Sequence, residues 1–515
     1  MKTPSTDLFL LIRSLSPPEK KYFKQYSQGY SEDRDNKYLA LFDAIDAQEQ
    51  YDEEAIKKKF KGSALINNLS VAKIYLTEKI LDSLIAMYGE SDEALMLKKR
   101  ISYFEILEKR RLPNGALNAY NKALDMAIDT GSLTLLPHIT RYKNSIVTNF
   151  GKDVSGEESI ANAQVAIDQA RILENYLKYE LINIKANLLF GDAMLHIDPK
   201  KKEAIDELLL DPLLSGEEVP LSFKAWAIMT RVRCRCYWVK NISFDAYDIL
   251  KEAVVYLEEN KKDTTEWQKT VMNFYVDFID LSIKLNYFDK AQVLLKKLEE
   301  FVTLRYRPEI YAQQWHFTFT LIFHSVSGVN IHDGIRFWED KASWWQKEQH
   351  KFKITTYYKL RYHVFTLYFM AGEWSKAISI LNELITQKHS GQAERVVRIF
   401  WLMLQYEIKN IELLQSQASG IRDWFRKSVK IAESEQEVIQ FFEKIHKANS
   451  KKEVQEKMQE LYDRLVEHDK LKLGTSLTSS REMMYWLESK LTNTPLDKVL
   501  QSKNSKPVTM PKVSA

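Results

Sequence analysis

A small residue returns along this chain at a nearly fixed interval. A large apolar residue follows four positions later, and in most cases a small or apolar one three after that. The series reads Ala116/Tyr120/Ala123, Ala163/Ile167/Ala170, Ala204/Leu208, Ala246/Leu250/Ala253, Ala291/Leu295/Leu298, Gly334/Trp338 and Ala377/Leu381/Leu384. Its leading members lie 47, 41, 42, 45, 43 and 43 residues apart. Steps of four and three share one face of an α-helix, and self-similarity at about 20 to 50 residues marks stacked supersecondary units. The small residue has a physical reason, because two helices crossing closely leave no room for a branched side chain. A Leu at Ala291 or Ala377 should cost on the order of 1–3 kcal/mol by overpacking. Asp211 and Lys341 interrupt the pattern where an apolar residue belongs.

Length and composition agree with an elongated helical array. The chain has 515 residues, 45% of them hydrophobic and only 15 Gly and 12 Pro. That balance disfavours all-β and disordered chains. The net charge of +4 permits an acidic partner without demanding one. The apolar run Leu8 to Ile12 is too short for a secretory signal, and no stretch reaches the roughly 18 apolar residues of a membrane span. A cytoplasmic protein without membrane insertion is expected. Cys234 and Cys236 stand two apart, about 200° around a helix, so they cannot pair. Two thiols also fall short of a structural zinc set.

The units around Leu281 to Glu300 and Gly372 to Leu384 resemble the tetratricopeptide repeat in a longer-helix form. Gly372, Trp374, Ala377, Leu381 and Leu384, with Tyr368 before them, follow that family's order, as do Asn286, Phe288, Ala291, Leu295 and Leu298. The longer period and the missing Trp-Leu-Gly signature depart from it. The resemblance implies an all-α fold, a right-handed α-α solenoid of helix pairs whose first helices line a concave face. The segments Ser14 to Lys24 and Tyr51 to Gly62 also resemble a family of bacterial cytoplasmic repeat proteins, which implies no function.

The expected organisation is an N-terminal helical cap or module over residues 1–100, repeats over 101–420, a C-terminal helical cap over 421–500 and a disordered tail over 501–515. Ser16-Pro17-Pro18-Glu19 reads as a capping box, and Asp52 as the cap of a short helix. Ser70 is expected to open a longer helix burying Val71, Ile74, Ile80, Leu81 and Leu84. A short helix, a turn and a longer helix beside Lys57, Lys58, Lys59, Lys61 and Lys73 also suit a DNA-reading helix-turn-helix.

Chemistry is sparse. Gly151 to Gly156 lacks the Gly-Lys-Ser/Thr end of a phosphate loop, the ten histidines form no ligand pair, and no nucleophile elbow is present. No enzyme and no cofactor or metal is expected. In the register of the resembled family, Arg231, Arg235 and Trp238 fall on the groove face of one first helix, one stripe at i, i+4 and i+7. Phe319 and Phe323 follow on the next but one, and Lys359, Tyr362, Thr366 and Phe369 on the one after. Arginines beside aromatics suit a carboxylate or phosphate on an extended peptide. The expected function is a protein-interaction scaffold holding a peptide or helix. The alternative is a regulator with a nucleic-acid-binding N-terminal module and a peptide-sensing repeat domain. The base- and aromatic-rich stretch Arg305 to His363 admits stacked single-stranded nucleic acid, although its aromatics fall at core spacing.

Overall fold

A computed structural model describes residues 6–28, 34–63, 68–89, 92–148, 155–190, 199–240, 243–262, 264–303, 309–349, 352, 354–386, 391–428, 433–448, 450–471 and 479–504. The Gly151 loop up to residue 154, Val429 and the tail from 505 lie outside them. Among the described residues there are 26 α-helices and no strand. No helix is long and apolar enough to cross a membrane. The chain divides into two compact units, Met1–Leu173 and Glu174–Ala515.

The first unit contains α1 (Asp7–Ser14), α2 (Pro17–Gln28), α3 (Arg34–Asp46), α4 (Glu53–Lys59), α5 (Leu69–Tyr88), α6 (Glu93–Lys109), α7 (Pro113–Asp129), α8 (Leu136–Thr148) and the start of α9 (Gly156–Phe190). Helices α1, α2, α3 and α5 pack around Ile12, Phe23, Leu41, Phe42, Leu76 and Ile80. The capping box forms: the Ser16 amide donates to Glu19 Oε2 at 2.6 Å, and the Glu19 amide to Ser16 Oγ at 3.5 Å. Asp52 likewise accepts from the Ala55 amide at 3.0 Å. α5 corrects the sequence expectation. It buries Leu69, Ala72, Leu76 and Ile80, while Val71, Ile74 and Leu81 face outward.

The second unit continues with α10 (Pro199–Leu209), α11 (Pro212–Ser215), α12 (Phe223–Val239), α13 (Ser243–Glu259), α14 (Thr265–Lys284), α15 (Phe288–Thr303), α16 (Glu309–Ser327), α17 (Ile331–Asp340), α18 (Ala342–Glu348), α19 (Ile354–Met370) and α20 (Trp374–Thr386). It ends with α21 (Gly391–Glu407), α22 (Ile411–Ser428), α23 (Glu433–Lys444), α24 (Lys451–Leu471), α25 (Ser479–Thr492) and α26 (Leu496–Asn504). From α12 to α17 each helix packs on its sequence neighbour, and α14, α16 and α19 pack in series.

Several helices end in one shared backbone device. The Tyr287 amide donates to the Ser282 carbonyl at 2.8 Å, Glu373 to Tyr368 at 2.9 Å and Asn410 to Gln405 at 2.9 Å. In the first unit, Leu112 donates to Leu107 at 3.0 Å. The residue before each donor is left-handed: Asn286, Gly372, Lys409 and Arg111. This six-to-one bond satisfies a helix-end carbonyl that would otherwise be orphaned. Asn286 and Gly372 suit the conformation, whereas Lys409 and Arg111 adopt it against a cost of about 1–2 kcal/mol.

The small residues occupy the crossings expected of them at Ala116, Ala246, Ala291 and Ala377, all fully buried. At Gly334 a Cβ would lie 2.6 Å from His324 Cβ and 3.0 Å from Leu367 Cδ2, so α16, α17 and α19 meet there with no space to spare. The triplet Ala163/Ile167/Ala170 is a correction: all three residues are exposed. They lie on α9, a single 35-residue helix with no turn to start a second helix at that point. Asp211 breaks the pattern because it caps α11, accepting from the Leu213 amide at 3.1 Å. The last two helices fold back, α25 onto α21 and α26 onto α16. Trp486 Nε1 donates to Glu407 at 2.5 Å, and Lys490 pairs with the same carboxylate at 2.5 Å.

Two glycine substitutions should move stability in opposite directions. Gly334→Ala is expected to cost on the order of 1–3 kcal/mol. Gly420→Ala, inside α22 where an added Cβ meets nothing within 4 Å, should stabilise by about 0.5–1 kcal/mol. Denaturant melts of the two variants check both signs.

Candidate functional site

The site grows from one face of four first helices in the second unit. Helical steps set Arg231, Arg235 and Trp238 in line on α12 and Asp277, Asp280 and Lys284 in line on α14. α16 adds Trp315 and Phe319, and α19 adds Lys359 and His363. Arg231 bridges the first two helices, its Nε 2.5 Å and Nη2 3.2 Å from the two carboxylate oxygens of Asp277. Burial opposes the Arg231 charge, but the Asp277 carboxylate outweighs it and raises the guanidinium's pKa. Arg235 holds only a neutral partner, donating from Nη1 to Asn187 Oδ1 at 3.1 Å. Burial lowers its pKa, and the Asp277 charge does not make up the difference.

Lys284 reaches over Trp238, its Nζ 3.5 Å from the ring centroid, and pairs with Asp280 at 2.5 Å. The Lys284 side chain keeps 41% of its surface exposed. Burial nonetheless lowers its pKa, against the pull of Asp280. Asp280 shows the converse balance. Burial raises its pKa, and the positive charges of Lys284 and Lys359 outweigh that and lower it. Lys359 Nζ lies 5.8 Å from the centroid of Phe319. Among the described residues, neither Arg235 nor Lys359 has a carboxylate within ion-pair distance.

The structure thus brings Arg231, Arg235, Trp238 and Lys359 to one charged face, with the half-buried Tyr362 beside it, its ring 5.4 Å from that of His363. Tyr362 packs its ring on Phe400, 6.0 Å between centroids. Phe369 is a correction: it is fully buried, 5.3 Å from Trp374 and 5.4 Å from Phe400. Its neighbours are core aromatics of α19 to α21, so it cannot face a ligand. Phe319 and Thr366 are buried as well. Sequence reading missed the paired roles of Asp277 and Lys284. Their spacing with Asp280 carried the signal, since all three share one helical stripe.

Three further features bear on chemistry. Ser325 Oγ lies 2.8 Å from His363 Nδ1, which mimics a nucleophile and base. Ser325 is buried, and burial aided by Lys359 pushes His363 down to about 3, too acidic for a general base near neutrality. Cys234 and Cys236 are buried thiols whose pKa burial pushes up to about 12. Among the described residues no three His, Cys, Asp or Glu side chains could hold a metal ion. In the first unit, Lys73 is turned inward, 13% exposed, 2.7 Å from Glu53 and 4.8 Å from the Tyr51 ring centroid. A DNA-reading helix would need it outward. In the Arg305 to His363 stretch, Trp338, Trp345 and Tyr358 are buried, and Arg361 forks onto Glu383.

Burial holds His316, His324 and His363 below the ordinary imidazole value. Below the unfolded value of about 6.5, the unfolded chain binds protons that the folded chain refuses, so stability falls as pH drops from there. The thermal midpoint should decline from pH 7 to pH 5, and His363→Gln should make that decline shallower. Equal slopes in the two proteins would contradict the assignment. No known protein family, curated protein or solved structure matches the chain.

Proposed function

We propose that the helix pairs of the second unit form a right-handed α-α solenoid of tetratricopeptide-like repeats. Its inner face captures an acidic peptide or helix, and the protein works as a non-enzymatic cytoplasmic scaffold. The observation that carries this reading is a charged face built across four helices: Arg231 on α12 forks onto Asp277 on α14, Lys284 lies over Trp238, and Lys359 on α19 lies 5.8 Å from the Phe319 ring of α16.

The charges indicate what the groove would hold. The network has four cations, Arg231, Arg235, Lys284 and Lys359, against the two carboxylates Asp277 and Asp280. Arg231 and Lys284 are already paired, which leaves Arg235 and Lys359 for a ligand. A guanidinium and an ammonium beside Trp238 suit a carboxylate flanked by apolar side chains. The interspersed Asp277 and Asp280 break any continuous positive track of the kind that nucleic acid requires.

Arg231 is a poor test residue, because a Glu there would face Asp277 and risk unfolding. The test is an Arg235→Glu/Lys359→Glu double variant in a nuclease-treated pull-down of the full chain from its own cell lysate. A protein partner held by wild type and lost by a folded double variant is the expected result. Unchanged partners would overturn the groove. Recovery of nucleic acid that resists high salt would favour the regulator.

A further inference from the structure

On α9, Leu177, Leu181, Ile184 and Leu188 follow one another by four, three and four residues. Their exposures are 51%, 52%, 52% and 76%. The opposite face of this stretch, with Tyr179, Ile182 and Ala186, is buried in the core built with residues of α10, α11 and α12. The outward line therefore adds nothing to that core. In the first unit the same spacing runs through Ile160 and Ile167, which are also exposed. Exposed leucines scattered singly are ordinary, but an apolar row on one helix marks an interface. A repeat of four and three is the seam along which one helix pairs with another.

We propose that this seam docks a second copy of the chain, with the two α9 helices lying parallel. The flanking charges select that occupant and that direction. If Leu181 and Leu188 take the a positions and Leu177 and Ile184 the d positions, Glu180 falls at g and Lys178 and Lys185 at e. In a parallel pair the g residue of one helix faces the e residue five places on in the other. Glu180 then meets the partner's Lys185, and two-fold symmetry makes the contact twice. In an antiparallel pair e faces e, which would set lysine against lysine. Glu180 is held in place by the hydroxyl of Tyr176 one turn earlier, and Lys185 is exposed.

Sedimentation equilibrium of the full chain across the micromolar range tests this, with circular dichroism confirming the fold of each variant. Wild type should be dimeric and Leu181→Asp/Leu188→Asp monomeric. Glu180→Lys alone should weaken association roughly threefold to tenfold, because it sets Lys against Lys on both sides of the two-fold. Adding Lys185→Glu should restore it. A monomeric wild type, or a dimer that survives the double Asp change, overturns the proposal. A charge swap no better than the single change overturns the parallel arrangement. The charge variants keep the test valid even if the Asp variant misfolds, since they leave the seam apolar.

Discussion

The close crossing of helices at a residue without bulk is the constraint on which the second unit depends. Ala246, Ala291 and Ala377 are fully buried where each second helix meets its neighbours, and at Gly334 even a methyl group would collide with the His324 backbone-proximal carbon. Small residues let backbones approach, and the larger apolar residue one turn later fills the space beside them. Leu250, Leu295, Leu298, Leu381 and Leu384 each bury a leucine side chain, about 1.5–3 kcal/mol apiece. The same rule explains why the unit is built in pairs: the crossing fixes the second helix against the first and against the helix that follows.

A crossing fixes distance, and the turn fixes direction. The left-handed residue at Asn286, Gly372 and Lys409 ends α14, α19 and α21 with the same six-to-one hydrogen bond. Those three helices therefore stop with the same geometry. Arg231 on α12 reaches Asp277 on α14, and Lys359 on α19 acts on Asp280. The polar network follows from the packing, because it needs side chains from four helices that share no local sequence.

What the sequence shows and hides follows from the same physics. The crossings at 246, 291, 334 and 377 are legible because sterics allow few residue types there. The caps at Ser16 and Asp52 are legible because side-chain geometry does the capping. Lys409 and Arg111 in left-handed turns are not legible, since the demand comes from the backbone and the side chain carries no mark of it. α5 and α9 misled for a different reason. Val71, Ile74, Ala163 and Ile167 have helical apolar spacing, and periodicity cannot say whether such a face meets this chain's core or stands in solvent. At the candidate site, the Arg231 stripe was legible from its i, i+4, i+7 spacing, and Phe369 was lost by a small error of register that turned a core residue outward.

The central claim is that the charged face of α12, α14 and α19 is open to a ligand, and Lys284, stacked on Trp238 and paired with Asp280, is its most direct probe. Amine-reactive labelling of the native full chain over a range of pH, read residue by residue by mass spectrometry, gives both accessibility and pKa. The account predicts that Lys284 labels readily and titrates below the ordinary lysine value, with Lys376, whose pKa its Glu339 and Glu373 partners raise, as the internal contrast. A Lys284 that resists labelling would lie in a closed core, and one that titrates like a free lysine would lie on an open surface. Either result would contradict the groove.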